Sequence, residues 1–134
     1  MHKTKIVTSF LKNSEHILLL KRSEKVRSMK NLWAGISGII EKDEEPIKRA
    51  EIEIFEEVGI KTTEITLIKE GTKMLIESPQ YVNHQWEVYP FLFSCNTREI
   101  KLNWENSKST WTNIDELNKF TTVPSLEKVL ARLL

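Results

Sequence analysis

Between Gly38 and Gly59 stand four spaced glutamates, Glu44, Glu53, Glu56 and Glu57. On a helix turning about 100° per residue, the last three fall within an arc of about 100°. Carboxylates held that close repel one another and raise each other's proton affinity. A hard divalent cation such as Mg²⁺ relieves the repulsion, because it takes oxygen ligands and shares them with water and phosphate. The competing reading is a solvated helix face, which is what most glutamate-rich helix faces are. Three of the four glycines (Gly35, Gly38 and Gly59) bracket this stretch, whereas purely structural glycines scatter among turns.

The elements needed to position these groups are legible around them. Pro46 suits the first helical position, Glu44 and Glu45 suit the positive end, and Gly59 suits a left-handed C′ site. Ile47, Ala50, Ile54 and Val58 recur at three- and four-residue spacing and predict one buried stripe. Upstream, the aliphatic runs 6–11 and 17–21 predict a hairpin or two adjacent strands, followed by a polar, basic loop over 22–31. The stretch 33–40 reads as a strand interrupted by Gly35 and Gly38. Downstream, 66–70, 73–77, 84–95 and 109–114 read as strands. Pro90 has no backbone donor, which predicts an edge or a bulge there. A helical turn over 115–118 and an amphipathic helix over 125–134, with Leu126, Val129, Leu130 and Leu133 inward, close the chain. Strands and helices mixed in this way predict α/β layers around a mixed sheet.

Bulk properties narrow the functional classes. The chain has 134 residues, enough for one domain with a continuous core, and no repeat or linker divides it. A net charge of +1 sets up no overall field for nucleic acid or an anionic membrane, and no basic stripe suggests a nucleic-acid interface. Any phosphate must be held by local groups. Cys95 is the single cysteine, which excludes an internal disulfide and fits a reducing compartment. The apolar runs are too short to span a bilayer and the N-terminus lacks a hydrophobic signal segment. A cytoplasmic domain over 1–134 is the expectation, one that could itself belong to a longer protein.

The stretch from Gly38 to Ile60 resembles the Nudix box, G-x5-E-x7-R-E-U-x-E-E-x-G-U with U aliphatic, at eight of nine specified positions. The resemblance implies a Nudix-type α/β/α sandwich and a MutT-like pyrophosphohydrolase using Mg²⁺, with Mn²⁺ as a substitute. It assigns Glu53, Glu56 and Glu57 to the metal, one of them also serving as base. Glu44 takes the upstream acidic position, and Gly38 and Gly59 are the loop glycines. Glu105, six residues before Trp111, is similar to an E-x5-W segment that carries a further catalytic or metal-binding glutamate in many members. A solvated loop carboxylate is the other reading of Glu105. Lys21 and Arg22 resemble a basic pair used against substrate phosphates, and surface charge is the competing reading. The chain departs from the pattern at Ile52, which replaces the box arginine, and at Ile36-Ser37-Gly38, where Pro-Gly-Gly is usual. Arg49, four residues before Glu53, lies in the same helical arc and is the candidate substitute.

The implied reaction is attack of water on phosphorus in a small nucleoside diphosphate-X substrate, with Glu53 or Glu105 accepting the proton. Trp33, Trp86, Tyr89, Phe91 and Trp104 could stack on a base or belong to the core. Leu126 occupies a place where some nucleotide-cleaning members carry a base-reading asparagine, so specificity for an oxidised guanine nucleotide is not expected. His84 reads as a surface residue and Cys95 as a small core residue. Homodimers are common in the family, but no patch of this sequence marks an interface. A catalytically weak domain serving as a nucleotide-binding or regulatory module is the second hypothesis, prompted by Ile52 and the missing Pro-Gly-Gly.

Overall fold

In the computed structural model, which describes residues 2–77 and 83–134, the two predicted N-terminal strands form a hairpin. They are β1 (His2–Asn13) and β2 (His16–Arg22), with Ser14 at a positive φ of 57° in the turn between them. β1 is longer than its aliphatic run because most of its length lies beside β7 (His84–Cys95), in parallel from His2↔His84 to Lys12↔Ser94. The other edge of β1 is shared. β2 pairs with it at Lys12 and Asn13, and β4 (Ile36–Ile39) takes over from Ile6 to Ser9. β2 meanwhile pairs with β3 (Trp33–Ala34) and with β8 (Asn106–Thr112). β5 (Ile65–Glu70) and β6 (Met74–Glu77) lie end to end along the far side of β7. Among the described residues these eight strands form one mixed sheet.

β7 explains why the architecture has three layers. Its residues are apolar on both faces, as a strand buried on both sides must be. Phe91, Phe93 and Cys95 join Val7, Leu11 and Leu20 under α1 (Pro46–Val58), whose Ala50, Ile54 and Val58 are buried against them. Val88 and Leu92 face the opposite way with Phe10, Ile17 and Leu19, under α2 (Leu126–Ala131). The result is the expected α/β/α sandwich. Pro90 does not mark an edge, since β7 is flanked on both sides. Its missing donor instead falls at the break between β5 and β6, where Gly71 N–H donates to the Pro90 carbonyl at 2.9 Å. A strand residue's N–H and C=O point the same way, so the gap in the neighbour absorbs the missing donor.

α1 begins and ends as its sequence punctuation predicts. Glu45 is the N-cap, Pro46 follows it, and Gly59 closes the helix at φ 75° with its N–H on the Phe55 carbonyl. The two acids before the helix do not cap it with their side chains, because Glu44 is committed elsewhere. α2 is shorter than the predicted 125–134 and has only six residues. A helix this short owes its stability to packing, and Leu126, Val129, Leu130 and Leu133 are all buried as expected. Leu130→Ala is therefore expected to lower the unfolding free energy by about 2–5 kcal/mol. Urea titration should show an earlier midpoint at unchanged slope, and an unmoved midpoint would dissociate α2 from the core.

Candidate active site

α1 directs its glutamates unequally. Glu53 and Glu57 are buried, with 8% and 3% of their surface exposed, while Glu56, one residue away, points outward. The turn from Gly38 comes so close to Glu53 that a Cβ on Gly38 would sit 2.2 Å from the Glu53 carboxyl carbon. That approach is what this glycine provides. Gly38, Arg49, Glu53, Arg22 and Glu105 all line a cleft of about 500 Å³. Glu105 stands in the turn just before β8, its backbone N–H bonded to the Asn103 side-chain oxygen at 3.0 Å. Ser23 N–H donates to the Glu105 carbonyl at 2.8 Å. Lys21 does not line the cleft, since strand alternation separates it from Arg22. Of the basic pair, only Arg22 can reach a substrate there, and its guanidinium also donates to the Ser28 carbonyl at 3.2 and 3.1 Å.

Arg49 forms the fork that Ile52 cannot. Nε and Nη2 donate to the two oxygens of Glu44 at 2.7 and 2.8 Å, and Nη1 donates to Glu53 Oε2 at 3.0 Å. The bidentate pair holds the Glu44 carboxyl below its ordinary 4.5, aided by the Glu41 N–H, and raises the guanidinium's proton affinity. Ile52 is 40% exposed and takes no part. Arg49 reaches Glu53 from one turn back along α1, within the arc expected from spacing.

The remaining carboxylates press on one another. Burial pushes the Glu53 carboxyl up against the pull of Arg49, and the charges of Glu56 and Glu105 push it further. Glu57 is pushed well above 4.5, first by burial, then by Glu105 and Glu53. Its Oε1 accepts from Asn106 Nδ2 at 3.0 Å, whereas Oε2 is buried without a hydrogen-bond partner. Asn106 escaped the sequence reading, because a polar residue at a strand start has no periodic signature. Among the described residues no three His, Cys, Asp or Glu side chains stand drawn together as a ready-made cage. The donor set is nonetheless that of a hard cation: oxygen only, mutually repelling, with one buried oxygen unsatisfied.

The aromatic candidates divide between core and cleft. Phe91 stacks on Phe93 at 6.2 Å in the core, and Tyr89 packs against that core. Trp33 meets Phe120 edge-on at 5.1 Å. Trp86 and Trp104 line the cleft, Trp104 with 59% of its surface open. Leu126 lines it too, with Val123 and Pro124. His84 is partly exposed, hydrogen-bonded to the Thr4 hydroxyl at 2.9 Å and packed on Trp86. Ser37, which had no predicted role, bonds Thr8 across the β1–β4 pair at 3.1 Å. Cys95 is buried, as expected of a core residue.

A family model described as the NUDIX domain matches residues 2–133. The chain belongs to the NUDIX family. Solved structures agree with the fold of this Nudix chain. A MutT protein from Methanosarcina mazei Go1 superposes with TM-score 0.76 at 21% identity, covering 98% of this chain and 92% of that one. A C. elegans Ap4A hydrolase superposes at 0.78 with 17% identity, covering 96% and 93%. The NUDIX domain of Shewanella oneidensis NrtR, in complex with ADP ribose, superposes at 0.78 with 12% identity, covering 98% and 86%. At these identities the likeness shows the shared fold. No curated protein matches the Nudix chain by sequence. Among its described residues no helix is long and apolar enough to cross a membrane.

The raised carboxyls make stability depend on pH in a definite direction. Above pH 4.5 the unfolded chain has lost the Glu57 proton while the native state keeps it. Stability contributed by that proton is complete below the unfolded value and is lost as pH rises through the folded one. Glu53 acts with the same sign, whereas the lowered Glu44 carboxyl acts only at the acid end. Without divalent cations, the melting temperature should fall as pH rises above 4.5. Glu57→Gln should flatten that slope, and an equal slope in the variant would contradict the assignment.

Proposed function

We propose that this Nudix domain hydrolyses the pyrophosphate linkage of a small nucleoside diphosphate-X substrate, with Mg²⁺ as cofactor and Mn²⁺ as its substitute. One observation carries the reading: Glu53, Glu57 and Glu105 act on one another electrostatically while Glu57 Oε2 is buried and unpaired. The charge balance of the cleft supports it. Glu41, Glu53, Glu77 and Glu105 line the cleft, against Arg22 and Arg49. Arg49 is already spent on carboxylates, so the lining by itself repels a polyphosphate. A cation held by Glu53, Glu56 and Glu57 would reverse that sign, neutralising phosphate oxygens and lowering the pKa of water.

The chain's own groups then have separate tasks. Arg49 holds the Glu53 carboxylate in place on Oε2. Arg22 meets phosphate oxygens as they enter. Glu53 or Glu105, both of which line the cleft, accepts the proton that water loses as it attacks phosphorus. Little covalent chemistry falls to the protein, so positioning dominates. The X group or base sits in the apolar half of the cleft, among Ile76, Trp86, Val88, Leu126 and Val129. These side chains select by shape and stacking, since Leu126 offers no hydrogen bond. The regulatory-module reading rests on Ile52 and on the missing Pro-Gly-Gly, and the ion pairs of Arg49 speak against the first of these two grounds.

Two measurements test the proposal. Phosphate or phosphomonoester release should be screened across nucleoside triphosphates, ADP-ribose and dinucleoside polyphosphates with and without Mg²⁺. Turnover should require the cation and fall about 10²–10⁴-fold in Glu53→Gln; cation-independent turnover would refute the reading. Arg49→Ala should lower kcat about 10–100-fold, and adding Ile52→Arg to that variant should restore part of the loss. Wild-type turnover in Arg49→Ala would remove Arg49 from the mechanism.

A further inference from the structure

Asn106 lies beside the carboxylates without belonging to the Nudix box, and its surroundings are unusually fixed. It is the first residue of β8, paired across to Arg22 where the β2–β8 register shifts. Just before it, the end of β2 clamps the chain twice: Ser23 Oγ donates to the Trp104 carbonyl at 2.8 Å and Ser23 N–H to the Glu105 carbonyl at 2.8 Å. Asn106 itself is only 7% exposed. Its Nδ2 therefore meets Glu57 Oε1 at 3.0 Å from a backbone with little freedom.

From this geometry we infer that Asn106 is a positioning residue for Glu57, holding one carboxylate oxygen so that the other is left for a divalent cation. The inference rests on the metal-dependent reading of the site. The chemistry of the donor fits the task. A lysine or arginine at 106 would neutralise the carboxylate and compete with the cation, and an aspartate would repel it. A carboxamide donates one hydrogen bond and leaves the negative charge intact. Ligating carboxylates commonly need such a partner to fix their orientation. The arrangement parallels Arg49, which occupies Oε2 of Glu53. Each of the two buried glutamates thus has one oxygen held by a neighbour from outside the metal set. Because Asn106 directly follows Glu105, the same clamp also ties the loop carboxylate to the helix.

The test is Mn²⁺ binding by the whole protein without nucleotide, followed by electron paramagnetic resonance, with folding checked by circular dichroism. Asn106→Leu keeps the size of the side chain and any packing it provides, but loses the amide donor without adding charge. Asn106→Ala removes both and serves as a second variant. Mn²⁺ affinity should weaken about 10–100-fold in each folded variant. In Glu57→Ala, adding Asn106→Ala should cost no further affinity, since the side chain acts only through Glu57. Wild-type Mn²⁺ affinity in Asn106→Leu would reduce Asn106 to a packing role and overturn the inference alone. Absence of Mn²⁺ binding by the unmodified protein would overturn the metal-dependent reading together with it.

Discussion

Like charges crowded into a partly dry floor are the constraint on which the rest of this molecule depends. Glu53 and Glu57 share one side of α1, and Glu105 is brought against them from the turn just before β8. Each carboxylate makes the others harder to ionise, and burial adds to the difficulty. A fold that retains such a cluster must either keep protons there or meet it with positive charge. Arg49 meets part of it directly. The rest is left unmet, and the proposed divalent ion and phosphate would answer it together.

The arginine meets the cluster from a position that the Nudix box does not specify. The box places its arginine immediately before the first catalytic glutamate, and here that position is an exposed isoleucine. Three residues back is nearly one helical turn, so Arg49 faces the same flank. From there its planar fork takes both oxygens of Glu44 and one of Glu53. The upstream Glu44 thereby serves the arginine, and through it Glu53, instead of capping the helix. Arginine suits this because its donors are fixed in a plane, so three bonds need little further ordering.

Much of the fold was legible because its signals are local. Pro46, Gly59 and the Ala50–Ile54–Val58 stripe act within one helix, and all were found where they were read. The strand over 84–95 was visible as well. Contacts between distant segments were not. Nothing local says that β4 would displace β2 along β1, or that the break at Gly71 would accommodate Pro90. Asn106 and the half-buried His84 carry no pattern, because each is defined by a partner about 50 or 80 residues away.

The sequence by itself determined the helix, its punctuation and which acids it could present, since helical periodicity and end chemistry are settled within a few residues. It also marked Arg49 as within reach of Glu53. Tertiary structure alone decided which acids face inward. Glu56 differs from Glu57 by 100° of rotation, and only the packing of α1 on the sheet turns one outward and buries the other. It decided, too, that Lys21 misses the cleft that Arg22 enters, and that an asparagine from β8 would find Glu57. These are matters of how elements meet, and desolvation and charge act only once they have met.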